Sequence, residues 1–244
     1  MKTTKTLSVI LFVSLFMGVS TLFAGCRPGV SKGDGNIVKQ ERKISSFNGI
    51  DISGAFNIYL KQGDAESVTL EADENIMQYI RTEVKDGILN VDLKDGHYHN
   101  TGKINVYITI KGLKSIDLSG AVDLQTQNKL SLSDLSIDVS GAADTRLEMA
   151  VQKLTVDGSG ASKMSFTGSA TEVSMDLSGA SEIFAFDMPA ESYTISLSGA
   201  GKAEINVSKK LIAEISGAGT IRYKGSPSEI SQDLSGAGSI KKVQ

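Results

Sequence analysis

The sequence predicts an all-β chain, a parallel β-helix or solenoid built from coils of about nineteen residues. Three observations carry this. The tripeptide Ser-Gly-Ala occurs eight times, with its glycines at Gly54, Gly120, Gly141, Gly160, Gly179, Gly199, Gly217 and Gly236. From Gly120 onward the spacings are 21, 19, 19, 20, 18 and 19 residues, and self-similarity near period 20 is the signature of stacked coils. Short runs on both sides of each glycine alternate apolar and polar residues, as half-buried strands do. Leucine-rich repeats and propeller blades have different frameworks or longer periods, and the calcium-binding nonapeptide is absent.

The amino-terminal elements come first. Met1 to Thr6 carry Lys2 and Lys5 and no acid, and Leu7 to Phe23 are mostly apolar. This is the charged and apolar pattern of a secretory signal. Leu22-Phe23-Ala24-Gly25-Cys26 resembles the lipobox of bacterial lipoproteins, with Phe23 where leucine is usual. That resemblance implies acylation of Cys26, the single cysteine, which has no partner for an intrachain disulfide. Multiple acylation anchors a protein to a membrane without spanning it. We therefore expect a signal peptide over 1–25, a lipidated cysteine and tether over 26–43, and one β-helical domain over 44–244. Removing residues 1–25 leaves 23 basic and 28 acidic residues, a net of −5, which argues against a nucleic-acid partner.

From Ile44 to Lys111 the pattern is strand-rich without a tight repeat. Candidate strands are Gly49–Ile52, Asn57–Lys61, Ser67–Ala72, Ile88–Leu93 and Ile104–Ile110. Asp86-Gly87, between Ile80–Val84 and Ile88–Leu93, predicts a hairpin. Asp73–Tyr79 reads as one helical turn with Asp73 as its cap. From Leu113 to Ile240 each coil reads strand, Gly-Ala corner, strand, return turn. Gly120, Gly141, Gly160, Gly179, Gly199, Gly217 and Gly236 supply corners that need positive φ or close backbone approach. The following alanine is small enough to turn inward, and stacked motif serines could bond to one another or to the backbone.

The recurring Ser-Gly-Ala, Phe47-Asn48-Gly49-Ile50-Asp51-Ile52, Gln62-Gly63-Asp64, Glu74-Asn75-Ile76, Asp86-Gly87-Ile88-Leu89 and Tyr223-Lys224-Gly225-Ser226-Pro227 resemble the putative auto-transporter adhesin, head GIN domain family. The resemblance runs from about Phe47 to Ile240. It implies a right-handed parallel β-helix in a lipid-anchored or secreted envelope protein of Bacteroidetes. It transfers no catalytic or binding residue.

Candidate chemistry is sparse. Asp51, Asp117, Asp138, Asp157, Asp176 and Asp233 each lie two residues before a motif serine, with Glu214 keeping the acid and Ser196 breaking the series. Asp117, Asp138, Asp157 and Asp176 are weak candidates for a cation, as carboxylate and hydroxyl oxygens suit Ca²⁺. The plainer reading is a solvated ladder that keeps the face soluble. A second column, Asp123, Asp144, Lys163, Glu182 and Lys202, suits cross-coil ion pairs. His97 and His99 stand in one polar loop with no further imidazole, and no thiol besides the Cys26 expected to be acylated, to complete a zinc site. No nucleophile elbow or phosphate-binding glycine loop occurs, and no cofactor is expected. Aromatics are few, without tryptophan, and most occupy alternating, core-like positions.

Two functional classes follow. The first is a non-enzymatic envelope protein, anchored in the outer membrane, whose rod binds a glycan or protein or serves as scaffold; the surface and periplasmic faces both remain open. The alternative is a polysaccharide lyase or hydrolase, which would need a groove lined by tyrosine with converging carboxylates.

Overall fold

The computed structural model describes residues 31–94, 98–99 and 102–244. Cys26 and His97 lie outside them, as do the side chains of Tyr98 and His99. The chain forms β1 (Ser31–Lys32), β2 (Ile37–Arg42), β3 (Gly49–Gln62), β4 (Ser67–Asp73), α1 (Glu74–Met77), β5 (Ile80–Lys85), β6 (Ile88–Leu93), β7 (Tyr98–His99) and β8 (Asn105–Ile110). The repeat region follows as β9 (Ser115–Thr126), β10 (Leu130–Gly160), β11 (Lys163–Gly179), β12 (Glu182–Gly199), β13 (Lys202–Gly217), β14 (Thr220–Lys224), β15 (Glu229–Gly236) and β16 (Ser239–Lys242).

From β3 the stack runs in parallel register through β9, β10, β11, β12 and β13. It continues as β14 and β15 on β13, and β16 on β14. Alternation does the packing. Ile116, Leu118, Ile137, Val139, Leu154 and Val156 point inward and are buried, as are Met164, Phe166, Ile183 and Ile205. The buried side chains form one cluster along the length of the stack.

The order in space departs from the order in sequence. β3 lies between β9 on one side and β6 and β8 on the other. β6 and β8 thus make the rung before β3, with no Ser-Gly-Ala corner between them in the sequence. Antiparallel β5 closes on β6, β4 on β8, and β2 on β4. The less regular first half therefore contributes a full coil to the solenoid, with Gly54 in register with Gly120. Part of the expected tether, Ile37–Arg42, is strand, because its backbone completes the antiparallel edge of β4.

Two local expectations divide. The β5–β6 hairpin turns on Asp86 and Gly87, both at positive φ (52° and 79°), as a two-residue type I′ turn requires. Asp73 precedes α1 but does not cap it. Its Oδ1 accepts a 2.7 Å hydrogen bond from the Gly35 amide instead, which ties the amino-terminal loop to the helix.

The corners explain the tripeptide. Gly160 has φ 100°, and a Cβ there would lie 2.6 Å from the Gly141 carbonyl oxygen. That oxygen accepts a 3.0 Å hydrogen bond from the Ala161 amide. The following alanine faces solvent, contrary to the inward turn expected: Ala121, Ala142, Ala161, Ala180, Ala200 and Ala218 are exposed. The next residue turns inward. It shrinks along the stack from Phe56 and Val122 through Ala143, Ser162 and Ser181 to Gly201 and Gly219, all buried. The buried hydroxyl ladder sits here, where Ser162 Oγ donates to Ser181 Oγ (3.0 Å). At the motif serine itself, Ser178 Oγ reaches only the Gly158 carbonyl, at 3.4 Å.

Candidate functional site

The first strand of each coil presents the acidic column. Asp51 pairs in register with Asp117, and Asp117 with Asp138. Asp157 pairs with Asp176, which pairs with Ser196, then Glu214 and Asp233. The four cation candidates therefore stand on one outward line. Among the described residues, no three carboxylates or imidazoles converge on a common centre.

The column is electrostatically strained. Partial burial pushes the Asp117 carboxyl above its ordinary value, and Asp51 and Asp138 add to the effect. Asp157 is raised by burial and then by Asp138 and Asp176. Asp51 is raised by burial and then by Asp92. A carboxyl whose pKa is higher folded than unfolded binds protons better in the fold, so stability rises as pH falls through that window. Glu71 runs oppositely: its hydrogen bonds from Lys39 and then Asn105 hold it below the ordinary glutamate value, so its contribution is lost only in stronger acid. We expect the melting temperature to rise as the pH is lowered from neutral towards the ordinary aspartate range, where these raised carboxyls take up protons in the fold first. Asp117→Asn should stabilise the chain at pH 7, by about 0.5 kcal/mol given its solvent screening, and flatten that rise. A lower melting point for Asp117→Asn at pH 7 would sink the repulsive ladder.

A second feature lies where Leu93 and residues 102–104 approach the corners. A groove of about 620 Å³ is floored by Ala55, Ala121 and Ala142 and bordered by Lys103, Asp123 and Asp144. Both carboxylates share one counter-charge: Arg146 lies 3.2 Å from Asp123 and 2.6 Å from Asp144. Among the described residues, no tyrosine lines the groove. The ion pairs expected along the second column run instead to residues off it, Asp123 and Asp144 to Arg146 and Lys202 to Glu204.

The structure also corrects the placement of the aromatics. Phe47, Phe56, Phe166, Tyr193 and Tyr223 are buried, whereas Tyr59, Tyr107, Phe184 and Phe186 are half-buried on the outer face of the second strand. Tyr59 and Tyr107 stack at 4.9 Å between ring centres. Asn57 Nδ2 donates to Asn105 Oδ1 (2.8 Å), and Asn105 Nδ2 to Glu71 Oε1 (2.7 Å). Lys39 Nζ lies 2.9 Å from Glu71 and 5.1 Å from the Tyr107 ring centre. The sequence held a signal for this cluster: Asn-x-Tyr occurs at Asn57-Ile58-Tyr59 and again at Asn105-Val106-Tyr107, and the two copies pair residue for residue.

Comparison with known proteins agrees with the fold. A crystal structure described as a putative adhesin from Bacteroides fragilis NCTC 9343 superposes with a TM-score of 0.80 at 26% identity, covering 87% of this chain and 99% of that one. A putative adhesin from Parabacteroides merdae ATCC 43184 gives 0.66 at 23%, covering 87% and 98%. A structure described as a putative lipid binding protein from Parabacteroides distasonis ATCC 8503 gives 0.60 at 24%, covering 88% and 100%. No curated protein sequence matches. The family model described as "Putative auto-transporter adhesin, head GIN domain" matches residues 46–227, from just before β3 through the return turn after β14. The chain belongs to the putative auto-transporter adhesin, head GIN domain family.

Proposed function

We propose that this chain is a non-enzymatic cell-envelope protein, anchored in the outer membrane through acylated Cys26, whose solenoid is a binding or scaffold rod. The observation that carries the reading is the uniformity of the rod. Eight glycine corners stack in one column, each flanked by the same exposed serine or alanine, so the outer surface is a set of long ladders. Such ladders suit an extended partner better than a small substrate. The carboxylates at the corner groove are held by Arg146, which favours binding over acid–base chemistry. Adhesin descriptions in the family and the Bacteroides fragilis relative support an envelope role.

The anchor is tested by Cys26→Ser expressed in a bacterial host fed labelled palmitate. The parent chain should take up label and fractionate with membranes. Cys26→Ser should do neither, moving to the soluble fraction after cell lysis. Retention of the variant in the membrane fraction, without label, would overturn lipid anchoring. Protease treatment of intact cells then reports whether the rod faces outward or into the periplasm.

A further inference from the structure

Beyond the corner, the second strands build an outward strip whose charge is opposite to that of the whole chain. On β11, β13, β14 and β16 it carries Lys163, Lys202, Arg222, Lys224 and Lys241, alternating with buried Met164, Ala203, Ile205, Ile221 and Tyr223. The carboxylates on these second-strand stretches are fewer, Glu182 and Asp187 on β12 and Glu204 on β13, with Asp144 of β10 in register beside Lys163. Glu204 is divided between two cations, Lys202 and Arg222, each at 2.9 Å. Lys163, Lys224 and Lys241 have no carboxylate within ion-pair distance among the described residues. The result is a local surplus of positive charge on a chain with a formal net charge of −3.

The cations are also held in place. Lys163 and Lys202 lie 5.4 and 5.1 Å from the Phe184 ring centre. Lys224 and Arg222 lie 4.6 and 5.9 Å from that of Phe186. Both rings are half-buried and sit on the rung between the lysine-bearing strands. An aromatic ring attracts an ammonium or guanidinium group over its face, so these long side chains are partly ordered before any ligand arrives. Preordering lowers the entropy lost on binding. From β11 to β16 the strip spans four strand spacings, ~19 Å.

We propose that this strip is a docking track for an acidic polysaccharide, its uronate or sulfate groups on Lys163, Lys202, Arg222, Lys224 and Lys241 and its sugar rings against Phe184 and Phe186. The inference rests on the reading of the chain as a binding rod and names the class of ligand. A narrow strip along the stack matches one extended polyanion. The adjoining acidic column, one corner away, repels the same polymer and would confine it to the strip.

The test uses the full-length chain in non-ionic detergent micelles, titrated with dextran sulfate and with polygalacturonate, against neutral dextran. Saturable binding of both acidic polymers and none of dextran is expected. The triple variant Lys163→Gln, Lys202→Gln, Lys224→Gln should bind about tenfold or more weakly, with a shallower salt dependence. Lys129→Gln with Lys153→Gln, off the strip, should match the parent. Phe184→Leu keeps an apolar side chain but loses the ring, and should also weaken binding. Unchanged affinity in the triple variant, or equal binding of neutral dextran, overturns the proposal. So does lysine-dependent adsorption to phosphatidylglycerol vesicles that displaces the polymers, which would make the strip a membrane contact. Failure here leaves the anchored rod standing, since that is read separately from Cys26→Ser.

Discussion

Gly160→Ala should destabilise the chain by about 3 kcal/mol or more, measured by denaturant unfolding of the full-length protein. Two costs combine. At φ 100° any residue with a Cβ occupies a sparsely populated backbone region, at about 1–3 kcal/mol. The new Cβ would also meet the Gly141 carbonyl oxygen at 2.6 Å. That oxygen cannot withdraw cheaply, because the Ala161 amide bonds it from the next rung. Ala161→Ser, one residue along on an exposed side chain, should change stability by less than about 0.5 kcal/mol. In a stack where each coil touches only its neighbours, damage in the middle divides the cooperative unit, whereas damage at the end frays it. Gly236→Ala makes the same clash with Gly217 on β15, where every residue is exposed, so its global effect should be smaller than that of Gly160→Ala. A Gly160→Ala chain as stable as the parent would show that the corner is not glycine-dependent.

The second large effect is in the core. Phe166→Ala should cost about 3–5 kcal/mol, the usual range for deleting a fully buried aromatic ring. Phe166 is completely buried and stacks on Leu147 of the preceding coil. Ser165 pairs with Phe184, so the inward position of the following rung is Ala185, also buried. A large side chain thus fills the space a small one leaves. Ala185→Leu alone should destabilise by overpacking, about 1–3 kcal/mol. Combined with Phe166→Ala it should recover part of the loss, giving a double-mutant cycle with clear coupling. Strict additivity of the two changes would refute this pairing.

Much of the architecture was legible because it is written in short-range chemistry. The strand alternation and the Asp86-Gly87 hairpin depend on residues within a few positions of one another, and the acidic column simply repeats at the nineteen-residue period. The Ser53-Gly54-Ala55 copy was visible, yet the region around it looked irregular. Its rung neighbours, β6 and β8, come later in the chain and have no Ser-Gly-Ala corner between them. Likewise Phe184 and Phe186 fit an alternating pattern equally well in either phase. Only the positions of Ile183 against Met164 and Ala203, and of Ala185 against Ile205, place the phenylalanines outside and make the lysine strip.

By itself the sequence determined that the chain is a β-solenoid with glycine corners, since positive φ and period-two alternation are local properties of the backbone. It did not determine which rungs touch, that the motif alanine faces solvent while the next residue enters the core, or which face collects the cations. Those were decided by the tertiary structure. Each depends on the space and charge offered by a rung distant in sequence, and a parallel stack brings such rungs within one strand spacing of each other.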